Sequence, residues 1–536
     1  MADPPDFVLG SRPLTPHLVV AILLALYVGF GLRDLGRSPK VYEDEPVIAA
    51  PGYMLVTTGV FGTPLARGFF GSERHCYEFM PLFSILAGAS MRLFGPGLFA
   101  VRLVALGVAA GVLLLTHFVA SRFLSASHGA VAIALLVLAP VMSPVEHLRT
   151  GIPMVDLARL ARYDVAVSLF GLAALLVLAP ILEESAAPDA GRLFAAGILT
   201  GAATLSHLYG FFWLPALLLA ILAGRGQLVF WRAFVVSGAG FLLALLPWIL
   251  FVASGWPDFL GQSRHYSERF DLLDPRFYAS NLRGELARYG LILAAATRHL
   301  APAFFAAAGV AGGVLLVRRC RSGGGASRAL LAIPGLLALL FALLLQSKNV
   351  MYLATLWPLF ALVASLGLHA AWGRGRLART ILVAAGLLVA GEGIFSLRRF
   401  SLEAAVMTPY SDFTSRLSRL VPGGARVMGM QHWWLGLVRT SPDYVSVPFP
   451  RTLRRYTPEP VRFEEATDAL APEVLLLDEI LRGFLRANVR VDAEFHDLAA
   501  AMQDWLAVRG RRMGVVEDPT YGRVEVYALR PAVLSE

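Results

Sequence analysis

"LFAVRLVALGVAAGVLLLTHFVA", residues 98–120, is a long and mostly apolar run. A helix needs roughly 17–25 such residues to cross the ~30 Å hydrocarbon core of a bilayer, and this run is long enough. Similar runs recur along most of the chain, whose 536 residues are 57% hydrophobic and 16% charged. Soluble proteins carry about 25% charged residues. The sequence therefore predicts a polytopic α-helical membrane protein.

Runs of this kind predict about 11 transmembrane helices. The stretch 191–224 is divided in two because its middle, "SHLYG", is polar and contains a glycine. The segment "PLFSILAGASMRLFG" (81–95) is short for a crossing and carries Arg92, so it is either a twelfth span or an interfacial helix. We assign it to an interfacial helix in the first outer loop, because only then do the basic connections described next all fall on the cytoplasmic side. The predicted spans lie near residues 17–35, 98–120, 127–143, 163–181, 191–206, 208–224, 229–254, 299–317, 328–346, 350–370 and 379–396.

Short basic connections between spans predict the orientation, because such loops stay in the cytoplasm. They alternate with non-basic connections, which gives a cytoplasmic N-terminus and a C-terminus outside. The net charge of +9 needs no nucleic-acid partner, since much of the Lys/Arg excess falls in these loops. The four basic connections are "SRFLSASHG" (121–129), "AGRGQLVFWR" (223–232), "VRRCRSGGGASR" (317–328) and "WGRGRLART" (372–380).

The composition changes near residue 400. Short β-rich segments follow, together with two amphipathic helical patterns. We therefore predict a membrane module over 1–398 and an extracytoplasmic α/β domain over 399–536. The predicted strands lie in "ARVMGMQHWWLGLV", "YVSVPFP", "EVLLLDE" and "RVEVYALR", and the predicted helices in "RFEEATDAL" and "HDLAAAMQDWLAVRG".

Three consecutive acids, Glu43, Asp44 and Glu45, stand in the first outer loop within "VYEDEPVIAAPGY" (41–53). Pro46 suits the first position of a helix, which would leave the acids around its positive N-terminus. They form either a solvated cap after a membrane span or part of an active site. Taken alone, the segment favours the cap.

Other ionisable groups fall on the same predicted face. Arg162 and Asp164 precede and open the span beginning near 163, where the alternative is a snorkelling arginine and a helix cap. The loop 255–298 is cationic on the side where the positive-inside rule gives no reason for cations. Its alternative is a loop that pairs its own charges. The candidate residues of that loop are Arg264, His265 and Arg269.

Lys348 and Tyr352 are spaced i, i+4 at the outer end of the span from 350, which predicts one helical face. Lys348 could equally anchor the span to lipid headgroups. His207, in "SHLYG", is either a turn histidine with its hydrogen bonds satisfied or a site residue.

His75 and Glu78 are residue types that bind metals, but two ligands without a third are a weak signal. Together, these groups predict a polar cleft with carboxylates to take a proton and cations to hold a phosphate.

The order of the motifs resembles one known family. An acidic "DE" precedes "YEFMPLFSILAGASMRLFGPGLFAVRLVAL", then come "RYD", "GILTGAATLSHLYG", "LPWILFVA" and "SKNVMYLATLWPLFALVA". Over roughly residues 15–396 the chain looks like the membrane module of the C-superfamily (GT-C) glycosyltransferases. The similar group is that of the protein O-mannosyltransferases and aminoarabinose transferases, glycosyltransferase family 39.

The resemblance implies an enzyme that moves a sugar from a polyprenyl-phosphate carrier to a lipid, glycan or protein hydroxyl, in a bacterial-type inner membrane. Asp44 and Glu45 match the acidic pair, with Asp44 as general base, and Asp164 matches the second acidic position. Lys348 and Tyr352 match a pair near the carrier phosphate in the family, and the region from His265 to Arg269 resembles the loop that helps to grip it. The predicted substrate- and phosphate-binding residues are these together with others singled out from the sequence: Arg162, His207, Arg264, His265, Arg269, Lys348 and Tyr352. Glu78 lies near a position used for metal in the aminoarabinose transferases, and His265 is its candidate partner for a divalent ion.

Two departures from the family pattern concern the donor sugar. Phe79 stands where the aminoarabinose transferases have a phosphate-binding lysine, and His207 stands where many relatives have lysine. Both argue against aminoarabinose as the sugar. The main alternative function is a transporter or flippase for a lipid-linked or anionic substrate. Transporters place ionisable groups near the bilayer midplane, whereas these collect at one rim, which favours an enzyme. A catalytically inactive scaffold is the third alternative.

Overall fold

The computed structural model describes residues 15–142, 144, 147–183, 188–267, 270–297, 299–322, 325–447, 462–488 and 493–530, with the side chains of 265–267, 484–488 and 493–498 excepted. The chain is helical up to residue 406 and mixed α/β beyond it. The helices up to that point are α1 (Thr15–Leu32), α2 (Asp44–Thr58), α3 (Pro81–Phe94), α4 (Leu98–Phe123), α5 (Ala126–Leu138), α6 (Pro153–Leu157), α7 (Asp164–Leu182), α8 (Ala190–Ser206), α9 (Trp213–Arg225), α10 (Gln227–Ser254), α11 (Trp256–Ser267), α12 (Pro275–Ala294), α13 (Leu300–Arg321), α14 (Gly325–Leu344), α15 (Trp357–Trp372) and α16 (Arg376–Val406).

The chain is a polytopic membrane protein. Within the described ranges, 8 helical segments are long and apolar enough to span a bilayer, and each coincides with a predicted span. The three other predicted spans fall on the shorter helices α5, α8 and α15. The helix α15 begins at Trp357 rather than near 350, because a 3₁₀ helix, Val350–Thr355, occupies the first part of that span. The orientation of the spans remains a prediction.

The chain folds into two compact units that interleave along the sequence. Unit 1 comprises residues 1–33, 105–249 and 269–402, and unit 2 comprises residues 34–104, 250–268 and 403–536. The predicted domain boundary between residues 398 and 399 remains a prediction.

Glycines allow helices to approach closely within each unit. In unit 1, Gly312 of α13 and Gly367 of α15 face each other, and a Cβ on either would overlap the other helix's backbone. In unit 2, Gly52 of α2 and Gly88 of α3 are related in the same way. Inside a bilayer, where no hydrophobic force drives helices together, close packing of this kind holds spanning helices such as α13 and α15 against each other. Pairing through glycine therefore fixes α2, which begins at Asp44, against α3.

The C-terminal part of unit 2 is built on a five-stranded sheet. Its order is β2-β1-β3-β5-β4, with β1, β2 and β3 parallel and β5 antiparallel to both β3 and β4. The strands are β1 (Val427–Gly429), β2 (Tyr444–Ser446), β3 (Val474–Asp478), β4 (Gly510–Asp518) and β5 (Gly522–Leu529). The helices of this part are α17 (Tyr410–Ser418), α18 (Trp434–Leu437), α19 (Phe463–Leu470), α20 (Glu479–Asn488) and α21 (Ala493–Arg509).

The predicted α/β character of this region is confirmed, with two local differences. The segment "HWWLGLV" does not continue the first strand as predicted, because β1 ends at Gly429 and the short helix α18 follows. The edge strand β4 lies outside the predicted strands, because its "RRMGVVED" is charged and lacks clear alternation. Edge strands carry charges because these discourage pairing with other chains.

Candidate active site

The first candidate group lies in unit 2, at the N-terminus of α2. The helix begins at Asp44, two residues before the start that Pro46 suggested. Pro46 still falls in the first turn, where a missing N–H costs nothing. Asp44 is half-buried at the first position, Glu45 is fully buried, and Glu43 is exposed. The three acids therefore occupy three different environments.

A buried arginine holds Glu45. Arg102 of α4 donates from Nε to Oε1 of Glu45 and from Nη2 to Oε2, both at 2.8 Å. The backbone N–H of Tyr42 donates to the same Oε2 at 2.8 Å. Neither the Arg102 nor the Glu45 side chain has exposed surface. A planar bidentate pair of this kind fixes the direction of both groups.

The same guanidinium fastens the segment that leads into α2. Nη1 of Arg102 donates to the carbonyl oxygens of Leu35 (3.1 Å) and Pro39 (2.9 Å), and Nη2 donates to that of Lys40 (3.1 Å). With the two bonds to Glu45, all five N–H groups of an arginine are used. We call Arg102, together with the segment 35–45 that it binds, the arginine clasp. Its effect is to set the position of Asp44 in unit 2.

Arg102 was missed at the sequence level because it lies inside an apolar run, four residues after the first residue of α4. A lone arginine in a predicted span does carry a signal, since such residues are expensive and are paired within the protein. Its partner could not be found by spacing, because Glu45 is 57 residues away along the chain.

The second candidate group lies in unit 1 around Asp164, the first residue of α7. Arg162 Nε donates to Oδ2 of Asp164 at 2.7 Å, and the Tyr209 hydroxyl donates to Oδ1 at 2.6 Å. All three side chains are buried. Through these contacts, Asp164 orients the Arg162 guanidinium and the Tyr209 hydroxyl.

Aromatic rings surround this ion pair. The His207 ring stacks on Tyr163 with a centroid distance of 4.5 Å and lies 6.0 Å from Tyr352. The Arg162 guanidinium lies 5.2 Å from the Tyr163 ring centroid and 5.8 Å from that of Tyr352. The structure thus brings together four predicted residues, Arg162, Asp164, His207 and Tyr352. Tyr163 and Tyr209 were not singled out, although they stand inside the quoted "RYD" and "SHLYG".

His207 lies in the turn between α8 and a following 3₁₀ helix, Leu208–Phe212. Burial lowers its pKa to about 4; Asp164 opposes this shift, and Arg162 adds to it. The imidazole is therefore neutral at pH 7. Its Nδ1 accepts the backbone N–H of Tyr209 at 3.3 Å, so the ring proton is on Nε2. His207 can donate a hydrogen bond there but supplies no positive charge.

The stability of the protein should depend on pH through His207. The unfolded state binds a proton near the ordinary histidine pKa of about 6.5, whereas the folded state resists protonation down to about pH 4. Stability is therefore full above about pH 6.5 and falls as the pH is lowered toward 4, by about 3 kcal/mol at most. Thermal unfolding of the wild type and His207→Gln between pH 4.5 and 7.5 tests this. The wild type should lose stability more steeply, and parallel curves would contradict the shift.

The third candidate group, also in unit 1, surrounds Lys348. Its Nζ lies 3.3 Å from Oε2 of Glu285 and donates to the carbonyl oxygens of Phe341 (2.9 Å) and Ala342 (3.0 Å) near the end of α14. Glu285 also forms an ion pair with Arg288, its neighbour on α12. Burial lowers the pKa of Lys348, which Glu285 partly offsets. Two cations share one carboxylate, so the cluster keeps a net positive charge.

The predicted i, i+4 geometry of Lys348 and Tyr352 is wrong. The α-helical spacing does not apply, because the 3₁₀ helix begins at Val350, after Lys348. Lys348 instead contacts α12 and α14, and Tyr352 lies against His207 and Tyr209.

The predicted loop 255–298 is largely helical, forming α11 and α12, with Asp274 capping α12 by accepting the Arg276 N–H at 2.9 Å. Arg264 is exposed on α11. The His265 side chain and all of Arg269 lie outside the described residues. Their roles remain predictions.

The metal prediction rests on Glu78 and His265. Glu78 is half-buried just before α3. His75, three residues earlier, hydrogen bonds through Nδ1 to Asp258 Oδ2 at 3.0 Å. The side chains that the structure describes include no group of three His, Cys, Asp or Glu that could hold a metal. We therefore derive no chemical step through a metal.

Solved structures with the same fold include ArnT from Cupriavidus metallidurans. Its apo structure matches with a TM-score of 0.63 at 15% identity, covering 96% of this chain and 98% of ArnT. ArnT bound to undecaprenyl phosphate matches with a TM-score of 0.62 at 15% identity over the same shares of both chains.

The oligosaccharyltransferase of Archaeoglobus fulgidus, AglB, is a second match. Its complex with Zn and sulfate gives a TM-score of 0.58 at 16% identity, covering 95% of this chain and 73% of that chain. Its complex with an inhibitory peptide and a dolichol-phosphate gives 0.56 at 14% identity, covering 97% and 75%. No family model and no curated protein matches the chain.

These matches show which fold this chain adopts. The chain has the fold of ArnT and AglB along nearly its whole length, with spanning helices followed by a C-terminal sheet region. The GT-C resemblance stated from the sequence is confirmed at the level of the fold.

Proposed function

We propose that this protein is an integral-membrane glycosyltransferase that moves a sugar from a polyprenyl-phosphate carrier to a hydroxyl acceptor. The observation that carries the proposal is the full-length fold match to ArnT, a protein crystallised with undecaprenyl phosphate. AglB, with the same fold, was solved with a dolichol-phosphate. Two proteins of this fold thus hold long-chain lipid phosphates.

The residues present suit this chemistry. A phosphate is a good leaving group, so its departure needs charge stabilisation more than a proton. The acceptor hydroxyl needs a base. Asp44 is a half-buried carboxylate on a fixed helix end, and we assign it the role of general base. Its Oδ would take the hydroxyl proton while the acceptor oxygen bonds to the anomeric carbon and the carbon–phosphate oxygen bond breaks.

A single displacement of this kind inverts the anomeric centre. Glu45 acts through Arg102 as a positioning residue for Asp44, and Asp164 positions Arg162 and Tyr209. The proposed phosphate ligands are Arg162, His207, Lys348 and Tyr352, with Arg264, His265 and Arg269 carried over from the resemblance. Of these, Arg162 and Lys348 supply charge, and His207, neutral at pH 7, supplies an N–H.

The acceptor is a lipid, a glycan or a protein hydroxyl, and the proposed location is a bacterial-type inner membrane with the acidic loop and the α/β region outside. The experiment that tests the function is mass spectrometry of envelope lipids, glycans and proteins with and without this gene. Loss of one sugar from one glycoconjugate, restored by the wild-type gene, is the expected result. A deletion that leaves every glycoconjugate unchanged but blocks export of one would assign the protein to transport.

A further inference from the structure

The middle of helix α16 contacts the start of α13 and the end of α5 in unit 1. The Glu392 carboxylate accepts the backbone N–H groups of Leu300 (2.8 Å) and Ala301 (3.0 Å), which open α13. Gly393 passes so close to Leu138, at the end of α5, that a Cβ on it would overlap the Leu138 carbonyl. These contacts hold α16 near its middle.

Toward its first turns, the same helix borders an open groove of about 410 Å³ shared with α5, α13 and α15. The side chains lining the groove are aliphatic or aromatic apart from His369. Val389, near the fastened point, is 4% exposed, whereas Val383, two turns earlier, is 46% exposed. The groove therefore closes near Leu138 and opens toward the start of α16. Its volume falls within the 300–1,000 Å³ typical of ligand sites.

Two arginines continue the groove-lining face beyond its apolar part. On α16 that face carries Leu382, Val383 and Gly386. Residues three, four and seven apart share a helix face, which places Arg379 and Arg376 on it, one and two turns before the apolar positions. Both are exposed.

Arg379 lies at the open end of the groove. Its Nε donates to the carbonyl oxygen of Trp372 at 3.1 Å, and its guanidinium lies 5.8 Å from the Trp372 ring centroid. Trp372 itself lines the groove. The cationic group is therefore held at the mouth by a groove residue.

This arrangement fits an amphiphile with an anionic head. Eleven residues separate Arg379 from Ala390, at the closed end, so the helix rise gives the groove a length of about 16 Å. Half of the ~30 Å hydrocarbon core has the same length, which is that of one acyl chain in one leaflet. Basic pockets between spanning helices bind anionic lipid headgroups.

We propose that the groove is a binding site for an anionic glycerophospholipid of the surrounding bilayer. One acyl chain lies between α16 and the α5/α15 side, and the headgroup phosphate meets Arg376 and Arg379. The residues that line the groove include none of the residues proposed for sugar transfer.

Filling the groove tests the acyl-chain part of the proposal. A Cβ added to Gly386 meets no atom within 4 Å, so the backbone at this groove-lining position has room for the first carbon of the side chain in Gly386→Leu. Gly391→Leu is the matched control, because it is equally open, lies on the same helix and does not line the groove. Native mass spectrometry of the purified protein, exchanged into detergent with phosphatidylglycerol, should show a retained lipid in the wild type and Gly391→Leu. Gly386→Leu should lose it.

The arginines test the headgroup part. Arg376→Gln/Arg379→Gln should weaken phosphatidylglycerol binding by roughly tenfold or more. Arg232→Gln, an exposed arginine on α10, should leave it unchanged. Equal retention of phosphatidylcholine and phosphatidylglycerol would overturn the proposal, as would a retained polyprenyl phosphate displaced by Gly386→Leu. A dimer that Gly386→Leu dissociates would also overturn it, by assigning the groove to a second copy.

Discussion

Replacing Asp44 with Asn should reduce turnover by about 10²–10⁴-fold, the share of catalysis that a general base supplies. The amide has nearly the shape of the carboxylate but cannot take the acceptor proton. Arg102 binds Glu45 and the carbonyl oxygens of Leu35, Pro39 and Lys40, so these bonds remain in the variant, and thermal unfolding in detergent is measured beside turnover to separate a loss of chemistry from a loss of stability. Turnover is measured on the donor and acceptor that the deletion experiment identifies, with purified protein in detergent.

The matched control for this variant is Glu43→Gln, which makes the same chemical change one residue away. Glu43 is exposed, while Asp44 is half-buried. Glu43→Gln should retain the turnover of the wild type. Normal turnover by Asp44→Asn would remove Asp44 from the chemistry, and equal losses in both variants would mean that the charge of the loop matters rather than one carboxylate.

Arg102→Met should destabilise the protein by about 3–5 kcal/mol, because it leaves the buried Glu45 carboxylate without its cation. The carbonyl oxygens of Leu35, Pro39 and Lys40 lose their donor as well. Since these groups set the position of Asp44, turnover should fall with stability. Thermal unfolding in detergent and turnover are both measured.

Two further variants test whether the loss of stability comes from the arginine clasp rather than from replacing any arginine in this unit. Arg92→Met removes an exposed arginine from α3 in the same unit and should change stability by no more than about 0.5 kcal/mol. The double variant Glu45→Leu/Arg102→Met should cost less than the sum of the two single variants, because it removes both charges together, whereas each single variant leaves one buried charge without its partner. Additive losses would show that the two side chains are not coupled.

Much of the fold follows from the sequence. Spans such as α4, α7 and α10 are long apolar runs, and their length alone marks them. Elements whose first and last residues depend on tertiary contacts are harder to predict from the sequence. The 3₁₀ helix before α15 was read as part of a span, and β4 was missed because an exposed edge strand has no apolar alternation to read.

The candidate site was only partly readable. Arg162, Asp164, His207 and Tyr352 were found because polar residues stand out at the ends of apolar runs, and the structure gathers them. The sequence could not pair Glu45 with Arg102, nor Lys348 with Glu285, because such partners are far apart in the chain and are brought together by packing.

The residues of the arginine clasp are synthesised in a fixed order. Every group that Arg102 binds belongs to residues 35–45, which leave the ribosome before Arg102 does. When α4 enters the membrane, the acid and the carbonyl oxygens that satisfy its arginine have already been synthesised. The Arg102 guanidinium can therefore pair with Glu45 as soon as α4 enters the membrane, so that it need not remain unpaired in lipid. Reversing the order of these two segments, as in a circular permutant, would remove that advantage during biosynthesis while leaving the finished contacts the same.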